Sequence, residues 1–166
     1  KTKLDTTFDW KAFKDGKDIH TVVASDIFDV PERAVTKNMR RTAKAVIFGI
    51  VYGISGWGLG ENLDIAPNEA KKYIDKYLEL YPGVKKYMDE IREKTHKNNV
   101  VRTLMNRKRI ITELTNENYM IRKQGERIAL NTPIQGTSAD IIKMAMIEVD
   151  KFIEKHKLKS KMIIQV

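Results

Sequence analysis

The chain has 166 residues, 42% of them hydrophobic, enough apolar side chain for the core of about one domain; wholesale disorder is excluded. Its 31 Lys and Arg against 22 Asp and Glu leave a net charge of +9, which favours a polyanionic partner, nucleic acid before an anionic membrane surface. No apolar run approaches the roughly 20 residues of a spanning helix, "KTKLDTTFDW" lacks a signal-peptide core, and the absence of cysteine removes disulfides and thiolate metal sites; a cytoplasmic protein with no membrane partner is expected.

Between turn signals the pattern is helical almost throughout. A short helix is predicted over residues 19–28, followed by "DVPE" and a longer helix from Glu32 to Tyr52. Gly53, Gly56, Gly58 and Gly60 are expected to stop it and leave a mobile loop; their spacing fits neither a P-loop nor a dinucleotide fingerprint. Pro67 suits the first turn of the next helix, whose stripe is Ala70, Tyr73, Ile74, Tyr77, Leu78 and Tyr81. After "YPG" another helix carries Val84, Tyr87, Met88 and Ile91. "VVRTLMNRKRIITEL" has two β-prone arms around Asn106 to Lys108 and reads as a hairpin. A helix over residues 118–130 is expected to break at Pro133. Thr137 and Asp140 then resemble a capping box for a helix to Lys155 with the core stripe Ile142, Ala145, Met146, Val149 and Ile153. The closing "KMIIQV" reads as a buried strand. Asp26, Asp29 and Asp64 lie in separate turns and suggest capping, and His96 and His156 suggest surface positions.

One segment carries more than fold. In "RRTAKAVIFGIVYG" the residues Arg40, Lys44, Phe48 and Tyr52 recur every four positions, so each drifts only about 40° from the last and all share one helix stripe. Ala43, Val46, Ile47, Ile50, Val51 and Ile54 form a broad apolar arc for the core, and the small residues Thr42, Ala45, Gly49 and Gly53 between the two arcs imply a close approach. Two cations one turn apart can clamp a phosphate chain, and a ring one turn further can stack on a base. A basic surface stripe with two core aromatics has the same pattern. Downstream, Arg107, Lys108 and Arg109 crowd the hairpin tip as a solvated turn or a phosphate contact. Arg127, Asn131 and Gln135 recur at four-residue spacing, either as minor-groove readers or as capping groups at the Pro133 break.

Arg, three residues, Lys, three residues, Phe, three residues, Tyr-Gly resembles the nucleotide-binding helix of family A DNA polymerases. "GKDIHTVVASDIFDVP", "RTLMNRKR" and "ERIALNTPIQGTSADIIKMAM" resemble other segments of that family in the same order. The resemblance implies a mainly α fold with a small β-hairpin, the fingers subdomain plus a strip of palm. Residues 15–130 would be fingers and residues 131–166 the fingers-to-palm helix and a palm strand, while residues 1–14 match poorly. It implies that Arg40, Lys44 and His20 hold the triphosphate of an incoming dNTP and that Lys44 is also a catalytic proton donor to the departing pyrophosphate. Phe48 would pack on sugar and base, as the variant that disfavours dideoxynucleotides, and Tyr52 would stack at the templating position. Arg107 and Arg109 would meet template phosphates, and Arg127, Asn131 and Gln135 the template-primer DNA. The family's Mg2+ ions need carboxylates from an Asp-Tyr-Ser motif, which "KTKLDTTFDWKAF" does not match, and from a His-Asp-Glu expected after "KMIIQV". No metal ligand is therefore assigned here, and the isolated chain, expected to be a monomer, should be inactive. A basic, non-catalytic helical DNA-binding module is the alternative, with a nucleotide-binding regulator third.

Overall fold

In the computed structural model, residues 14–164 are described. Among these residues six α-helices and one hairpin occur in this order: α1 (Ile19–Phe28), α2 (Lys37–Val51), α3 (Gly56–Leu63), α4 (Pro67–Leu80), α5 (Pro82–Asn98), β1 (Val100–Arg102), β2 (Lys108–Ile110) and α6 (Tyr119–Lys155). Single 3₁₀ turns at Glu32–Ala34 and Thr112–Thr115 join them. A mainly α fold with one hairpin is what the periodicity indicates. The strands pair antiparallel, Val101 opposite Arg109, with Asn106 at φ 65° in the connecting turn.

The larger core joins α1 to α5. Val23, Ala24 and Ile27 of α1 meet Ala43, Val46 and Ile50 of α2, with Leu59, Ala70, Tyr77 and Tyr81 closing the cluster. A smaller core under the hairpin contains Val101, Ile111, Leu114 and Ala129. Asp29 and Asp64 stand at helix C-termini in the left-handed region, as capping residues. Asp26 does not cap: it lies within α1 and accepts a hydrogen bond from the Tyr81 hydroxyl at 2.5 Å.

The second helix starts at Lys37, five residues later than its periodicity suggests. Pro31 leads into the separate 3₁₀ turn, and Thr36 then caps α2 by accepting the Met39 amide at 3.2 Å. The helix ends in a Schellman pair, Ile54 N–H to Gly49 C=O at 2.7 Å and Gly53 N–H to Ile50 C=O at 3.0 Å. That motif requires the left-handed conformation Gly53 adopts, φ 65°, and a Cβ there would lie 2.9 Å from Arg127 Cγ of α6. The close approach implied by the small residues is thus made by the chain's own Ile54 and Arg127. Gly53→Ala should cost about 1–2 kcal/mol from the backbone alone. A urea midpoint that does not move would contradict this.

Beyond Gly53 the expected loop is a helix. Ser55 accepts the Gly58 amide at 3.3 Å and caps α3. The glycines let α3 pack closely on α4 and on the turn between the two helices: a Cβ on Gly60 would lie 2.8 Å from the Ile65 carbonyl, and one on Gly56 3.1 Å from Lys71 Cβ. Tertiary packing outweighs their poor helix propensity.

The break at Pro133 is also absent; α6 runs through it. Thr132 donates to the Ile128 carbonyl at 2.7 Å and Thr137 to the Pro133 carbonyl, so hydroxyls supplement the ladder around the missing N–H. Thr137 is therefore no cap; it also accepts the Leu104 amide at 3.0 Å, while Asp140 holds Arg107. These hairpin contacts brace the helix on the C-terminal side of the proline, offsetting its cost. The stripe expected to be core is largely exposed: Ile142, Ala145 and Val149 face solvent, and Met146 and Ile153 are half-buried. Amphipathic spacing survives, but nothing among the described residues covers it. Residues 161–164 of "KMIIQV" form no strand, with Ile163 and Ile164 exposed; the rest of that segment and residues 1–13 lie outside the described residues.

Candidate nucleotide and nucleic-acid site

Because Ala43, Val46 and Ile50 anchor α2 in the core, its opposite stripe must face outward. Arg40, Lys44, Phe48 and Tyr52 are all exposed. The Phe48 and Tyr52 rings lie 6.4 Å apart and nearly parallel, at 15°. The Lys44 ammonium stands 5.8 Å from the Phe48 ring, within cation–π range. The His20 ring, from the first turn of α1, comes within 6.0 Å of Phe48. Helix packing between α1 and α2 thus brings together residues that sequence separation leaves unconnected.

Arg40 reaches the same group through a residue that sequence patterns do not single out. Asp18, the N-cap position of α1, accepts from Arg40 Nε at 2.6 Å and Nη2 at 3.2 Å. The Arg40 guanidinium holds the Asp18 carboxyl far below the usual carboxylate range, helped by the Thr21 hydroxyl at 2.6 Å. Its sequence signal is slight: an Asp preceding "IHT" at a helix start. His20 titrates below its ordinary value, chiefly because burial disfavours its charged form; Arg40 and Lys44 add repulsion and Asp18 opposes them. Its Nδ1 is buried without a hydrogen-bond partner among the described residues.

A second feature lies where the hairpin crosses α6. A cavity of about 380 Å³ is lined by Arg107, Arg109, Ile128, Asn131, Thr132, Gln135 and Gly136. Four of the five residues expected to meet DNA share it; Arg127 does not line it, its side chain lying instead over Gly53. Arg107 is pinned in place, Nε to Asp140 Oδ1 at 2.6 Å and Nη2 to the Gly136 carbonyl at 3.0 Å. The Thr103 hydroxyl, then Arg107, lower the Asp140 carboxyl below its ordinary range. Among the described residues Arg109 makes only a long side-chain contact to Thr132, Nη1 to Oγ1 at 3.4 Å, and so keeps most of its donors for a ligand. The buried Asn131 Oδ1 has no partner among the described residues.

Among the described residues no three Asp, Glu or His side chains converge as a metal would require, so the residues present do not fit the family's ions. No helix among them is long and apolar enough to cross a membrane.

The fold matches part of a polymerase domain. It matches the POL domain of Pol1 from M. smegmatis, solved in complex with DNA primer-template and dNTP, with a TM-score of 0.86 and 41% identity over 94% of this chain and 28% of that one. The chain belongs to DNA polymerase family A, whose model matches residues 6–166. It is 48% identical to DNA polymerase I of Bacillus caldotenax, 49% to that of Geobacillus stearothermophilus and 50% to that of Bacillus subtilis strain 168. Each alignment takes in 94% of this chain, which spans 18% of the relative's length.

Proposed function

We propose that this chain is the nucleotide- and template-gripping part of a DNA-directed DNA polymerase, with residues 15–130 as fingers and residues 131–166 leading into the palm. The observation that carries the reading is the α2 face, where two cations, two near-parallel exposed rings and the α1 histidine form one surface. Arg40, Lys44 and His20 hold the triphosphate of an incoming dNTP, Phe48 packs on its sugar and base, and Tyr52 stacks at the templating position. A phosphate beside His20 favours its protonated, donating form. Arg109, Asn131 and Gln135 face template-primer DNA across the α6 cavity, and the pinned Arg107 contributes field and shape. Arg127 joins that surface from over the end of α2. The family generally uses divalent metal ions with dNTPs; Mg2+ is the ion we assign, held by carboxylates other than those described here. The polymerase works as a monomer in the cytoplasm.

Nucleotide binding that requires Lys44 and strengthens when primer-template DNA is added would support this reading. DNA binding with no nucleotide effect would point instead to a non-catalytic DNA-binding module. A nucleotide effect with no role for DNA would point to a regulator.

The charge makes a separate prediction. Primer-template affinity should fall at least about tenfold between roughly 50 and 200 mM salt, because counterion release supplies most of the binding free energy. Fluorescence anisotropy with a labelled duplex measures it, and a flat salt response would contradict an electrostatic contact.

A further inference from the structure

On the α2 face the group best shaped for phosphate is already occupied. Arg40 presents Nε and Nη2 to the two oxygens of Asp18, the same fork that two phosphate oxygens would engage. The Thr21 hydroxyl also donates to the carboxylate at 2.6 Å, to the same Oδ2 that Arg40 Nε engages. This pair bridges the start of α1 to α2 across 22 residues, so it belongs to the tertiary structure rather than to one helix surface. The side chains are 46% and 42% exposed, where an ion pair is weak enough for a ligand to break. Lys44, one turn on, enters no ion pair among the described residues and has the Phe48 ring as its neighbour. A phosphate can therefore meet Lys44 freely but take the Nε–Nη2 fork of Arg40 only by displacing Asp18.

We propose that Asp18 is a resident competitor for the phosphate seat on Arg40, displaced when a triphosphate binds, and that it thereby sets nucleotide affinity and the preference for a ligand long enough to reach both cations. This rests on the nucleotide reading of the α2 face. A monophosphate engages Lys44 and leaves the Arg40–Asp18 pair closed. A triphosphate spans the turn between the cations and exchanges one anion for another on Arg40. Asp18 is a specificity residue, acting through Arg40 rather than on the nucleotide.

The test is Asp18→Asn, which keeps the shape and a good N-cap residue but removes the charge. Titrating a deoxynucleoside triphosphate into the full chain should show about fivefold tighter binding for D18N, the factor that an exposed ion pair corresponds to. Monophosphate affinity should change much less. In an Arg40→Ala background the effect of D18N should vanish. Carbon NMR of the Asp18 carboxylate gives a direct signature: its depressed titration should move toward the ordinary carboxylate range when triphosphate is added. Unchanged or weaker triphosphate binding by D18N would overturn the proposal, because the pair would then position Arg40 rather than compete for it. Were Arg40→Ala and Lys44→Ala also without effect, the nucleotide reading of the face would fail as well. If they weaken binding while D18N does not tighten it, only the competitor fails.

Discussion

Lys44→Ala, made in a complete polymerase carrying this chain, should lower kcat/KM for a correct dNTP by about 100- to 1,000-fold, the usual cost of deleting one preorganised charge at a developing anion. The alanine removes a phosphate ligand and a proton donor together, so nucleotide affinity and turnover should fall together. Lys44→Arg separates them. Arginine keeps the positive charge but gives up no proton near neutral pH, so binding should largely return while the chemical step stays slow. The α2 scaffold should survive either change, since Lys44 is exposed and Ala43, Val46 and Ile50 anchor the helix. Single-turnover incorporation kinetics make the measurement, and a wild-type rate in Lys44→Ala would remove Lys44 from the site.

Phe48→Tyr should raise the ratio of dideoxy to deoxy incorporation efficiency by roughly 10- to 100-fold, the range that a hydrogen bond involving a charged group corresponds to. The added phenol hydroxyl would take the place of the 3′ hydroxyl that a dideoxynucleotide lacks. Room for it exists, because Phe48 is 44% exposed, with the Lys44 ammonium 5.8 Å from its ring and the Tyr52 ring 6.4 Å away and nearly parallel. Overall stability should hardly change, as the new oxygen need not be buried. An unaltered ratio would mean that the ring does not face the sugar.

How far sequence alone reveals this fold depends on the range of the forces involved. The outward stripe of α2 is legible because four-residue spacing and an apolar arc are local properties, and the hairpin is legible from its β-prone arms. The α2 start misleads because Pro31 and Glu32 look like a helix opening until Thr36 is seen to cap Met39. The glycines between Gly56 and Gly60 read as loop because propensity is local, whereas the need for a close approach to Ile65 and Lys71 is tertiary. Pro133 misleads for the same reason: the Arg107–Asp140 and Leu104–Thr137 contacts that brace α6 span 33 residues. Periodicity locates the apolar stripe around Ile142 and Val149, but burial depends on what covers it. In the candidate site, composition and spacing find the cations and rings. They miss Asp18, whose importance appears only when α1 packs on α2 and its carboxylate meets Arg40.

Whether the α2 face is the nucleotide seat is decided by residue-resolved NMR of the isotope-labelled chain titrated with a deoxynucleoside triphosphate. Saturable shift changes should concentrate at His20, Arg40, Lys44, Phe48 and Tyr52, with Asp18 responding as Arg40 leaves it. Changes centred on α4 and α5, or none at nucleotide concentrations that saturate a polymerase, would contradict it.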